Sequence, residues 1–178
     1  MFALEIPELI IDAEKIRKFV IELDPYQWEP MRRSKGLPNW PMPFFKYVGI
    51  DHMEPLREIK DQFAIDLGEN VVDFYMVPEQ TQLRIHKDRR NAGINLPIMG
   101  DFETSPLVFY DEDRKTELFR ASYSDKPMMC NTSFNHGVDN FTDTVRVLLS
   151  ISIYEPFDFN AIKEFYLQKQ LLKVQYEG

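Results

Sequence analysis

Cysteine is almost missing from this chain: Cys130 is the only one in 178 residues. No internal disulfide can form, so a small stapled scaffold is excluded. No apolar run is long enough to span a bilayer, and Met1 is not followed by a basic-then-apolar leader, so the expectation is a cytoplasmic protein without a membrane partner. Positive charge is also short, with 21 Lys and Arg against 29 Asp and Glu and a formal net charge of -8. Phosphate binding relies on a positive field, so this balance argues against nucleic acid as a partner. Internal repeats and low-complexity tracts are absent, which leaves the periodicity of apolar positions to show the organisation. What the chain does have is a 44% hydrophobic composition with 14 phenylalanines. That is enough for one domain with a real core.

Three segments have helical spacing. The first follows Asp12 as N-cap, with Ile16, Phe19, Val20 and Leu23 on one face. The second starts at Asp51, which forms a capping-box pattern with Glu54, and runs through Leu56, Ile59, Phe63 and Leu67 to Gly68. The third covers about 160–174 and carries Ile162, Phe165, Tyr166, Lys169 and Leu172. Residues 24–47, rich in proline and aromatics and without a regular period, are too long for an ordinary connection and can serve as a lid or as an aromatic wrap. From Val71 to Tyr154 the chain reads as short strands divided by turn signals: VVDFYMV, QLRIHKD, GINLPIM, PLVFYD, TELFRAS, PMMCNT and VRVLLSISIY. The expected fold is mainly β with flanking helices, a barrel or sandwich of the jelly-roll type. Its parts are a helical and loop-rich support over 1–70, a β core over 71–154 and a C-terminal helix over 155–178.

Two stretches carry candidate chemistry. In QLRIHKD, alternation sends His86 and Asp88 to the same side, together with Gln82 and Arg84. An imidazole and a carboxylate two residues apart can ligate one metal ion, and a third ligand would complete a facial triad. There are three histidines. His52 begins the second helical segment, which leaves His136, in NTSFNHGVDN, as the candidate; the Asn, Ser and Gly there suggest a tight turn. In VRVLLSISI, alternation places Val145, Val147, Leu149, Ile151 and Ile153 on one face and Arg146, Leu148, Ser150 and Ser152 on the other. An arginine inside a closed sheet needs an anion. That anion is either an internal carboxylate or a ligand's, and a guanidinium fork suits the latter, with Ser150 able to add a hydrogen bond.

The set His86-Lys87-Asp88, His136 and Arg146, in that order and in strand context, resembles the iron(II)- and 2-oxoglutarate-dependent oxygenases, whose motif is His-x-Asp/Glu, a distal His and a basic residue for the co-substrate. The resemblance covers the strand-rich region from Tyr75 to Ile153. It implies a cupin-like double-stranded β-helix within a single oxygenase domain, 1–178, with Fe(II) held by His86, Asp88 and His136. It also implies that 2-oxoglutarate chelates the metal while its far carboxylate pairs with Arg146, that O2 is consumed, and that succinate and CO2 are released. Under the resemblance, Asn95 can either meet the iron-proximal carboxylate of the co-substrate or make an ordinary strand-end hydrogen bond, and Tyr75 can either meet the co-substrate or fill the barrel. The retained carboxylate at Asp88 favours hydroxylation over halogenation.

The substrate is expected to be a small carboxylate or free amino acid, or an amino-acid side chain in a protein. Arg84, Arg120 and Trp40 are candidates for contacting it, and Lys87, Arg89 and Arg90 in HKDRRN can attract an acidic group or form a solvated face. Two other readings stay open: a cupin-like metalloenzyme that does not use 2-oxoglutarate, and a non-catalytic β-barrel binding protein.

Overall fold

The protein is described by a computed structural model covering residues 1–6, 12–23, 28–32, 41–47, 71–121, 123, 126–154 and 156–176; for 30–32, 41–47, 71 and 169–176 only the backbone is described. Strands dominate. In chain order they are β1 (Ala3–Glu5), then, after helix α1 (Ala13–Ile21), β2 (Trp28–Arg32), β3 (Pro41–Tyr47), β4 (Val71–Val77), β5 (Thr81–His86), β6 (Ala92–Met99), β7 (Leu107–Tyr110), β8 (Glu117–Ala121), β9 (Met128–Cys130), β10 (Asn135–Asn140) and β11 (Arg146–Ile153). Helix α2 (Phe159–Tyr176) follows.

The strands form a seven-stranded sheet, ordered β1-β9-β6-β11-β4-β3-β2, and a four-stranded sheet, ordered β5-β10-β7-β8. Every pairing is antiparallel. This is a mostly β jelly roll with helices packed on it, as the spacing of the strands predicts.

Strand β11 organises the large sheet. It lies between β4 and β6, and its two-residue alternation sorts the side chains cleanly. Val147, Leu149, Ile151 and Ile153 enter one core with Phe74, Ile94, Leu96 and Ile98, and Ile16 and Val20 of α1 and Ile162 and Tyr166 of α2 cover it. The opposite face of β11 carries Arg146, Ser150 and Ser152, all buried. Helix α1 begins where the sequence places it, with the Asp12 carboxylate accepting from the Lys15 amide at 2.9 Å. Helix α2 is held similarly by Asp158, which accepts from the Ala161 amide at 2.8 Å.

Three features differ from the sequence reading. Parts of the N-terminal region described as support or loop are strands: β1 pairs with β9, and β2 and β3 extend the large sheet beyond β4. Proline masks that signal, since Pro30 and Pro41 interrupt runs that would otherwise read as extended, and the resulting β2 is an edge strand with an irregularity after Pro30. The segment around His136 is not a tight turn but strand β10, in the interior of the small sheet. Asp88 lies just past the end of β5 rather than within it. The helix expected over 51–68 lies outside the described residues.

Candidate metal centre and its cavity

His86 is the last residue of β5, and in the antiparallel pairing of β5 with β10 it stands directly opposite His136. Direct cross-strand partners bring their side chains together, and here the two imidazole centroids are 4.5 Å apart. The turn after β5 adds Asp88, whose backbone N–H donates to Thr132 O at 3.1 Å. Thr132 Oγ1 in turn donates to Arg90 O at 3.0 Å, so the turn is pinned to Thr132 at two points. His86 Nε2 is 3.3 Å from Asp88 Oδ1, and His136 Nε2 is 3.8 Å from Asp88 Oδ2. One ligand atom from each of the three residues lies within 4.8 Å of the other two.

The tautomers suit a metal. Nδ1 of His86 faces Arg84 O at 2.7 Å, and Nδ1 of His136 faces Phe134 O at 2.9 Å. A carbonyl can only accept, so Nδ1 carries the proton in each ring and Nε2 keeps its lone pair turned toward Asp88. Burial, reinforced by the neighbouring His86, lowers the pKa of His136 to about 4, so the ring is neutral near pH 7. Burial alone would push Asp88 up, but the Arg90 guanidinium, whose Nε donates to Oδ2 at 2.6 Å, holds it well below the usual carboxylate range. Two imidazoles and one carboxylate, grouped on one side, are the donor set of an open two-His-one-carboxylate site.

The other wall of the cavity comes from the large sheet. A space of about 220 Å³ runs from His86, Asp88 and His136 to Arg146 and Tyr123, with Tyr75, Asn95, Leu148 and Ser152 along it. Arg146 is only 1% exposed, and its Nε and Nη2 have no hydrogen-bond partner among the described residues. Its Cζ sits 4.3 Å from the Phe102 ring centroid and 5.5 Å from that of Tyr123. Burial lowers its pKa, and no carboxylate among the described residues offsets that shift. A guanidinium stacked on aromatics with two nitrogens lacking partners among the described residues has the chemistry to receive an anion.

The remaining candidates from the sequence fall in varied places. Ser150 is fully buried and faces Asn95 across the β11–β6 pair, and its hydroxyl is engaged by Asn95 and Arg90 rather than left open beside Arg146. Asn95 lines the cavity, and its amide donates to Tyr123 Oη at 3.1 Å. Tyr75 also lines it, and donates to Asp73 at 3.1 Å. Arg84 and Arg120 are exposed and are not part of the cavity wall; Arg120 pairs with Glu117 at 2.7 Å. Trp40 lies outside the described residues.

Two residues that matter were not singled out from the sequence. Arg90, read as one of three cations at a strand end, turns inward: its Nε donates to Asp88 Oδ2 at 2.6 Å, and its Nη1 to Ser150 Oγ at 2.6 Å and Ser152 Oγ at 3.2 Å. Gly93 makes the room, because a Cβ there would come within 2.9 Å of the Arg90 guanidinium. That glycine was the available signal, since glycine inside a strand marks close approach of another group. Tyr123 lies in a connection with no periodicity to mark it.

The fold and cavity define a jelly roll with an open His-Asp-His cluster in its mouth. No protein-family model and no curated protein matches this chain. Among solved structures, it resembles a Pseudomonas putida prolyl-4-hydroxylase, at 12% identity over 86% of this chain and 91% of that one, with a TM-score of 0.59. It is likewise similar to HygX from Streptomyces hygroscopicus, solved with nickel, 2-oxoglutarate and hygromycin B bound, at 12% identity over 88% and 84% of the two chains and a TM-score of 0.57. A third is a Trichoplax adhaerens prolyl hydroxylase in complex with a hypoxia inducible factor peptide fragment, at 8% identity over 86% and 82%, with a TM-score of 0.55. The likeness is one of fold, and the structures sharing it include 2-oxoglutarate and Fe(II) oxygenases. No described helix is long and apolar enough to cross a membrane.

Proposed function

We propose that the protein is an Fe(II)- and 2-oxoglutarate-dependent oxygenase that hydroxylates a small carboxylate, a free amino acid or an amino-acid side chain. The observation that carries this reading is one cavity holding both a three-donor cluster and, across from it, a buried guanidinium with no anion beside it among the described residues. A metal site alone would leave Arg146 unexplained. His86 Nε2, Asp88 and His136 Nε2 would hold the metal and leave the side facing the cavity open. Fe(II) there would supply O2 activation coupled to decarboxylation of 2-oxoglutarate, one oxygen atom ending in succinate and the other in the hydroxylated product, with CO2 released.

This chain's own residues do the rest. Arg146 grips the far carboxylate of the co-substrate and so fixes which end of the diacid reaches the metal. Leu83, Leu107, Val138 and Leu148 exclude water from the space between. The backbone carbonyls of Arg84 and Phe134 keep the two imidazoles in the metal-binding tautomer. Strands β2 and β3, which extend the large sheet past β4, form on this reading one wall of the substrate approach. The cavity is small against the roughly 300–1,000 Å³ of drug-sized pockets, which suits a co-substrate and only the reacting end of a substrate.

The test is anaerobic loading with Fe(II) and 2-oxoglutarate, followed by admission of O2 and a succinate-release screen over free amino acids, small carboxylates and peptides. Succinate formed in step with one class of substrate is the expected result. Failure to bind either Fe(II) or 2-oxoglutarate would overturn the proposal.

A further inference from the structure

A line of hydrogen bonds runs from Asp88 of the cluster to Tyr123, whose ring lies beside Arg146. Asp88 Oδ2 accepts from Arg90 Nε at 2.6 Å, and Arg90 Nη1 donates to Ser150 Oγ at 2.6 Å. Ser150 Oγ donates to Asn95 Oδ1 at 2.7 Å, and Asn95 Nδ2 donates to Tyr123 Oη at 3.1 Å. The ring of Tyr123 lies beside the Arg146 guanidinium.

The direction of this line follows from its first member. A guanidinium has donors and no acceptor, so Ser150 must accept from Arg90 and spend its own proton on Asn95. That fixes the amide of Asn95 with its oxygen toward Ser150 and its NH2 toward Tyr123. Tyr123 then receives a hydrogen bond, and its own O–H proton is left over. The neighbour recorded for that proton is Cys130 Sγ at 3.9 Å, a weak acceptor. Among the described residues the cavity therefore ends in three donors without a strong acceptor: Tyr123 O–H and Nε and Nη2 of Arg146.

We infer that Arg90 sets the polarity of the Asp88–Arg90–Ser150–Asn95–Tyr123 line, so that Tyr123 presents its hydroxyl as a donor to a carboxylate held by Arg146. Arg90 and Ser150 are thus positioning residues for diacid binding, although neither touches the diacid. The same guanidinium holds Asp88 Oδ2 and leaves Oδ1 toward His86, which ties alignment of the carboxylate to the far end of the cavity. This rests on the oxygenase reading above and deepens it.

The test is calorimetric and needs no turnover. Wild type and the Ser150→Ala, Tyr123→Phe and double variants are titrated with Mn(II), and the Mn(II)-loaded proteins are then titrated with 2-oxoglutarate. Tyr123→Phe should weaken 2-oxoglutarate binding about 10- to 100-fold with Mn(II) affinity retained, as expected for loss of a donor to a charged acceptor. Ser150→Ala should weaken it about tenfold, Ser150→Thr should restore it, and the double variant should bind no more weakly than Tyr123→Phe alone. Should Ser150→Ala not fold, Ser150→Cys replaces it, keeping the volume and losing the strong hydroxyl. If wild type binds both ligands while Ser150→Ala matches it, or the two losses add, the inference is overturned and the oxygenase reading stands. If wild type binds neither, the oxygenase reading itself fails.

Discussion

Replacing Arg146 with methionine separates stability from function. The side chain is 1% exposed, two of its nitrogens lack partners among the described residues, and the return from stacking is the face of Phe102 at 4.3 Å and of Tyr123 at 5.5 Å. Desolvating the charge costs several kcal/mol, on the order of 3 to 5, and cation–π contact returns about 2. Methionine has a similar reach, no charge and a sulfur that packs well on aromatics. Arg146→Met should therefore stabilise the ligand-free protein by about 2 kcal/mol, a rise in Tm of about 4–8 °C for a chain of this size. If the proposed function holds, the same change removes the partner of the diacid's far carboxylate and should weaken 2-oxoglutarate by about 3 kcal/mol, on the order of 100-fold. Thermal melts with and without Mn(II) and 2-oxoglutarate test both halves. Ligand at 100 times its Kd should add about 2.7 kcal/mol to wild type and far less to the variant. If Arg146→Met instead destabilises the ligand-free protein by about 3 kcal/mol or more, Arg146 has an internal anion and the reasoning is wrong.

Asp88→Ala should abolish Mn(II) binding and also destabilise the metal-free protein by about 3 kcal/mol, because it strands the Arg90 guanidinium; His86→Ala should lose the metal with a smaller cost, and urea melts beside Mn(II) titrations distinguish the two. Burial pushes the Cys130 thiol up to about 11. Between about pH 9 and 11 the unfolded chain has released a proton that the folded protein still holds, so stability should fall as pH rises through that window, by ~2–3 kcal/mol in all. Urea melts from pH 8 to 11 against Cys130→Ala check this, and a pH-independent difference would refute it. Asn140, fully buried, donates from one amide to Val77 O, Pro78 O and Thr144 O at 3.2, 2.8 and 2.9 Å. Asn140→Ala should cost about 2–3 kcal/mol in a urea melt while Mn(II) affinity holds, since it leaves buried carbonyls without a donor.

Much of the β core was legible because a strand's side chains alternate, and alternation survives without knowledge of partners. The two faces of β11 are the clearest case: Val147, Leu149, Ile151 and Ile153 in the core, with Arg146, Ser150 and Ser152 opposite. Strand β10 was not legible. NHGVDN has turn composition, and it is extended because β5 and β7 flank it on both sides, so pairing overrides propensity. The role of Arg90 was equally hidden. Lys87, Arg89 and Arg90 are alike as letters, yet Lys87 reaches Glu112 at 2.7 Å while Arg90 folds inward over Gly93.

By itself, then, the order of residues determined the period of the strands, the start of α1 at Asp12, and the presence of two imidazoles, a carboxylate and a core-facing guanidinium. Those are local properties, written in spacing and residue type. Only the tertiary structure decided that His86 and His136 stand opposite one another, that Ser150 meets Asn95, and that Arg146 lacks a neighbouring acid among the described residues. Each of these depends on which distant strand lies alongside and in what register, and that is settled by burying the whole core at once rather than by any one segment.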